Sequence, residues 1–92
     1  MNPKPEYITY ILFSKTIDTF YIGYTKDNLN QRLRKHNTNH KGFTGKAKDW
    51  NVVYFEVFNT KTEALEREKM IKGWKSRKMI TNLINSRTEH PD

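Results

Sequence analysis

Residues 9–25, TYILFSKTIDTFYIGYT, constrain the fold more than any other stretch: two short runs, each apolar on both of its faces, flank a polar turn. A strand with one wet face alternates apolar with polar residues, whereas a strand apolar on both faces has to be covered on both. The runs 7–13 and 19–24 therefore read as paired strands around a turn from Ser14 to Asp18. Such a sheet needs helices on each side.

The rest of the chain supplies that cover. Asp27 can cap a helix that continues to about His36, with Leu29 and Leu33 one turn apart. Residues 50–58, WNVVYFEVF, are rich in β-branched and aromatic side chains and read as a third strand. Thr60 and Glu63 form a capping box that opens a helix to about Trp74. Ser76 can start a last helix, with Met79, Ile80, Leu83 and Ile84 on one face. Residues 37–49, NTNHKGFTGKAKD, hold two glycines and three lysines without any period, and a loop of that length in a small domain is suspected of binding something. The expected fold is α+β, a small central antiparallel three-stranded sheet flanked by helices in the order ββαβαα. One domain is expected over 1–92, with a core at about 7–84 and a disordered tail over 85–92.

Composition narrows the function classes. Cysteine is absent, which removes a disulfide framework and a thiolate zinc site. No run approaches membrane-spanning length and no apolar leader precedes the first strand, so a soluble, cytoplasmic protein without membrane partners is expected. Seventeen Lys and Arg against ten Asp and Glu give a net charge of +7. A small domain this basic faces a polyanion, because neutralising phosphates releases counterions; nucleic acid is the leading partner. The alternative is a solvated basic surface with no partner.

The strand tyrosines then acquire a place. Side chains alternate along a strand, so Ile8, Tyr10 and Leu12 share a face, as do Tyr21 and Gly23. With an even number of turn residues, Tyr10 and Tyr21 come to one face as near neighbours; with Ser14 opposite Thr19, Gly23 faces Tyr10. The alternative is a pair of core aromatics with hydroxyls at the rim. On the first helix the inward stripe runs through 29, 32, 33 and 36, which turns Arg32 and His36 inward. On the second, Ala64, Glu68 and Ile71 share a stripe, which directs the Glu68 carboxylate inward. Inward charges need partners, and an Arg32–Glu68 ion pair is the structural reading. The functional reading uses all five groups: a carboxylate holds a hard divalent cation, an arginine holds a phosphate, and a phenol or imidazole moves a proton.

TYI at 9–11, YIG at 21–23, RLRKH at 32–36 and ALEREKMIK at 64–72 together resemble the GIY-YIG endonuclease domain superfamily, in the short stand-alone, UPF0213-like form found in many bacteria. The resemblance covers about Tyr7 to Ile84. It implies that Tyr10 is the base for the attacking water, Tyr21 a hydrogen-bonding partner in the site, and Gly23 the motif glycine. It likewise implies that Arg32 contacts the scissile phosphate, that His36 is a further active-site group, and that Glu68 is the single metal-binding carboxylate. Ile8 and Thr9 stand where the name-giving Gly and Ile would be, and one extra residue lies between Gly23 and Arg32. Asn82 is a candidate for the polar residue that relatives carry near the end of the domain.

The resulting expectation is a metal-dependent DNA endonuclease that hydrolyses phosphodiester bonds with one Mg²⁺ or Mn²⁺ on Glu68. Gly23, Lys41, Lys46, Lys48 and Lys72 are the expected nucleic-acid contacts. Branched or damaged DNA, a role in DNA repair, and a protein partner that supplies specificity complete the set. A free phenol titrates near 10, so Tyr10 needs a nearby cation or relay, for which Arg32, His36 and the metal are the candidates. The competing readings are a non-catalytic nucleic-acid-binding module, which has no use for an inward carboxylate, and a structural protein whose basic surface is incidental.

Overall fold

The computed structural model describes residues 6–38 and 42–88. Its elements follow the order ββαβαα: strands β1 (Tyr7–Ser14) and β2 (Thr19–Thr25), helix α1 (Leu29–Asn37), strand β3 (Trp50–Phe58), and helices α2 (Lys61–Trp74) and α3 (Arg77–Thr88). The fold is α+β, with one antiparallel sheet ordered β2-β1-β3. The most apolar strand, β1, is thereby paired on both edges.

The β1–β2 register sets Ser14 opposite Thr19 and Tyr10 opposite Gly23. The hairpin turn is secured by Asp49, whose carboxylate accepts from Ser14 Oγ at 2.6 Å, from the Thr16 amide at 2.9 Å and from Thr16 Oγ1 at 2.8 Å. These donors hold the Asp49 carboxyl down at a pKa of about 2. Asp18 takes the left-handed conformation at φ 52°, which an aspartate tolerates better than a branched residue does.

Each face of the sheet has its own core. Tyr10, Leu12, Ala47 and Trp50 are buried on one, with Ile8, Leu29, Leu33 and Val52 against them, so α1 covers that side. Ile11, Ile22, Ile71 and Ile80 are buried on the other, joined by Trp74, Leu83 and Ile84, so α2 and α3 cover it. Ala64 is fully buried and its carbonyl accepts from Thr9 Oγ1 at 2.7 Å, which draws α2 close to β1. An irregularity in the β1–β3 pairing sets Ile11 opposite Tyr54 but Leu12 opposite Val52. The extra residue, Val53, is a bulge that sets Val52 opposite Leu12 and Trp50 opposite Ser14 on one face while Tyr54 stands opposite Ile11 on the other.

Three local expectations are corrected. The cap of α1 is Asn28, not Asp27: Asn28 Oδ1 accepts from the amides of Asn30 and Gln31, while the Asp27 amide is taken by Thr25 Oγ1 at 2.9 Å. The segment before β3 is not without regular structure, because Phe43–Lys46 form a 3₁₀ turn with Thr44 buried in it. Helix α3 runs through Thr88, so residues 85–88 are helical, while 89–92 lie outside the described residues. The Thr60 cap stands as expected, accepting from the Glu63 amide at 3.2 Å. No helix among the described residues is long and apolar enough to cross a membrane.

Candidate active site

Strand parity and the α1 stripe bring Tyr10, Tyr21, Arg32 and His36 together on the α1 side of the sheet. Tyr10 is 1% exposed, and its hydroxyl lies 2.8 Å from His36 Nε2 and accepts from Arg32 Nε at a longer 3.4 Å. His36 is buried as well, and its other ring nitrogen lies 2.9 Å from Thr44 Oγ1. Tyr21 joins through its ring, 4.9 Å from that of His36 and 6.4 Å from that of Tyr10.

Gly23 makes the room. A Cβ built there would lie 2.8 Å from Tyr10 Oη and 3.0 Å from both Tyr10 Cζ and Tyr21 Cε2, so any side chain would displace the phenol. Expected as a nucleic-acid contact, Gly23 is buried beneath the two tyrosines. The 3₁₀ turn is built into the same corner. Thr44 carries a carbonyl that accepts from Trp50 Nε1 at 2.9 Å, and Asn37 ties the end of α1 to Trp50 through two bonds to its backbone.

Burial dominates the electrostatics at Tyr10. It raises the phenol to about 12, against the opposing effects of the Arg32 hydrogen bond and charge. The phenol is therefore neutral near pH 7. The same hydrogen bond raises Arg32 further above its ordinary value.

The second helix holds its carboxylate apart. Glu68 pairs with Lys72, one turn along α2, at 2.8 Å, whereas the alternative, structural reading pairs it with Arg32. Its side chain is only 12% exposed, and its charge still acts on Tyr10, which it helps to raise. Lys72, expected on the nucleic-acid backbone, is the partner of this carboxylate. Among the described residues no group of three or more His, Cys, Asp or Glu could hold a metal ion.

Arg32, Lys35, His36 and Thr38 line a cleft of about 360 Å³, and Arg32 also borders one of about 210 Å³ with Tyr24, Thr25, Lys26 and Asp27. Tyr10 and Glu68 line neither. A further cleft of about 440 Å³ lies at the start of α1 between Ile8, Leu29 and Phe55, and none of the five lines it. Lys46 and Lys48 are exposed on the segment before β3, Asn82 is exposed on α3, and Lys41 lies outside the described residues. Sequence reasoning missed Thr44, Phe43 and Trp50 as neighbours of the site. Nothing marks a threonine in a polar loop, but a lone aromatic among lysines and glycines at 41–46 was a usable signal.

Comparison with known proteins shows the family. The family model described as the GIY-YIG catalytic domain matches residues 6–83. UPF0213 proteins of Staphylococcus aureus, among them those of strains Mu3 and COL, are 39% identical over 70 residues, covering 75% of this chain and 83% of theirs. No solved structure gives a significant match. With its tyrosine pair closed over Gly23 and the family model spanning all three strands, the chain belongs to the GIY-YIG family, a family of nucleases.

Proposed function

We propose that this chain is a DNA endonuclease in which Tyr10 hands the proton of an attacking water on to His36. The observation that carries the reading is the Tyr10 hydroxyl, set over a glycine between an imidazole nitrogen at 2.8 Å and a guanidinium nitrogen at 3.4 Å. Because the phenol titrates at about 12, it is no resting phenolate. A neutral phenol can still act as base if it loses its own proton as it gains one. Tyr10 O–H donates to His36 Nε2, His36 Nδ1–H donates to Thr44 Oγ1, and Arg32 donates to the phenol oxygen: one assignment serves all four groups.

Each residue then has a task. Tyr10 takes the water proton while passing its own to His36, a relay of positioned acids and bases. Arg32 holds a non-bridging phosphate oxygen and the charge that develops on it. Lys46, Lys48 and Lys35 follow the strand's backbone as point charges.

Glu68 fits a divalent cation as one ligand rather than as a cage. Mg²⁺ is commonly held by one or two carboxylates, with waters and substrate phosphate oxygens completing the shell. A lone, mostly buried carboxylate paired to an exchangeable lysine suits that donor set. Bound there, Mg²⁺ or Mn²⁺ would supply Lewis-acid stabilisation of the leaving oxygen.

The test is to incubate pure protein with linear, nicked and branched DNA, with and without Mg²⁺ or Mn²⁺. Wild type should cleave at least one substrate only with metal. Glu68→Ala should abolish cleavage while metal-free binding persists or tightens, since a negative charge is removed. Arg32→Ala should weaken binding and lower the rate by about two to three orders of magnitude. No cleavage across the panel, or a Glu68→Ala variant as active as wild type, would replace this reading with a non-catalytic nucleic-acid-binding module.

A further inference from the structure

Phe43 is a large aromatic side chain that the fold leaves 45% exposed directly beside the site. It belongs to the 3₁₀ turn whose next residue, Thr44, meets His36. Its ring lies 6.3 Å from that of Tyr21 with the planes only 20° apart, and Tyr21 in turn lies against His36 and Tyr10. The aromatic layer that begins at the buried phenol therefore ends in solvent at Phe43.

A cation already occupies this end. The Lys46 ammonium stands 5.0 Å from the Phe43 ring centroid, on the same turn, and Lys35 lines the neighbouring cleft with Arg32 and His36. An exposed cation–π contact is weaker than the stacking of a nucleobase on an aromatic ring. A base can thus displace the ammonium from the ring, and the freed lysine is placed to meet that nucleotide's phosphate.

We propose that Phe43 and Lys46 form a nucleotide subsite beside the Tyr10–His36 pair, which stacks one unpaired base adjoining the bond to be cut. This rests on the nuclease reading and gives it a substrate class. In a paired duplex both faces of each base are covered by neighbouring pairs, so the ring can take a base only from a single strand, a flap or a frayed end.

The experiment measures binding in metal-free buffer, which separates the subsite from cleavage. Three labelled ligands are compared: a thymidine oligomer, an abasic oligomer with the same number of phosphates, and a fully paired duplex. Wild type should prefer the thymidine oligomer over the abasic one by on the order of tenfold. Phe43→Ala should bring that ratio to about one with the salt slope unchanged, and Phe43→Trp should keep or raise it. Lys46→Ala should do the reverse, lowering the salt slope by about one and leaving the ratio. Phe43→Leu keeps the apolar bulk without the aromatic face and serves if the alanine variant unfolds. A ratio untouched by Phe43→Ala and Phe43→Leu, or duplex binding weakened as much as thymidine binding, overturns the subsite and leaves the nuclease reading standing. No binding to any of the three overturns both. Loss of cleavage alone, with base-dependent binding kept, overturns only the nuclease.

Discussion

The two faces of β1 differ by one residue and by the whole of their chemistry. Tyr10 points to a face shared with Arg32, His36 and Thr44, where hydrogen bonds and rings stand beside the apolar packing of Leu12, Leu33 and Val52. Ile11, the next residue, points to a face of Ile22, Ile71 and Ile80. Alternation along a strand thus lets one small sheet keep polar groups in place without giving up an apolar core. The aliphatic face resists unfolding, and the polar one is free to hold buried groups that contribute less to stability than aliphatic packing would.

Removing the phenol hydroxyl should have the largest effect. Tyr10→Phe keeps the ring over Gly23 but takes away the group that bridges water and His36, so cleavage should fall by about two to four orders of magnitude. Stability should change by only about 1 kcal/mol, the net worth of an ordinary hydrogen bond. Rates set beside urea midpoints check both halves. A variant that cleaves at near the wild-type rate would remove Tyr10 from the chemistry.

The opposite cut tests the other face. Ile80 is buried on α3, a helix that carries none of the five assigned groups. Ile80→Ala should lower unfolding free energy by about 2–4 kcal/mol through lost transfer energy and the cavity left behind. Cleavage per folded molecule should stay within about twofold, because the cluster that holds Ile80 contains none of the five assigned groups. A large rate loss in protein shown to be folded would mean that the faces are coupled through β1.

How much of this could be read in the sequence follows from which interactions are local. The hairpin, the Tyr10–Gly23 pairing and the inward turn of Arg32 and His36 depend on periods of 2 and 3.6, which residue order displays directly. The bulge at Val53 does not, since WNVVYFEVF has no glycine or proline to mark where the parity changes. The cap falls on Asn28 rather than Asp27 because the Asn28 side chain accepts from the amides of Asn30 and Gln31 while the Asp27 carboxylate lies 3.9 Å from Lys35, a choice between two good capping residues that spacing cannot decide. Glu68 shows the same limit at the site. Its inward direction was legible from the stripe, but Lys72, four residues along its own helix, took the carboxylate before Arg32 from across the sheet could.

Alkaline titration gives the smallest effect and a sharp contrast once wild type is set against Tyr10→Phe, because that difference isolates a single phenol. Burial raises Tyr10 from 10.0 to about 12, so the folded protein keeps a proton that the unfolded chain loses first. The sign follows: the stability contributed is full below about pH 10 and is lost as pH rises through about 12. The loss should reach about 1.4 kcal/mol near pH 11 and about 2–3 kcal/mol beyond the folded value. The quantity to measure is the difference between wild type and Tyr10→Phe in urea midpoints at about pH 9 and about pH 11, in which the contributions common to both proteins cancel. Wild type should lose more, while Ile80→Ala, which leaves the phenol in place, should lose as much as wild type does. Arg32→Ala should widen the gap, because the guanidinium is what draws the phenol's pKa down. If Tyr10→Phe and wild type fall in parallel, the phenol is not held as a buried neutral group, and the relay through His36 loses its reason to exist.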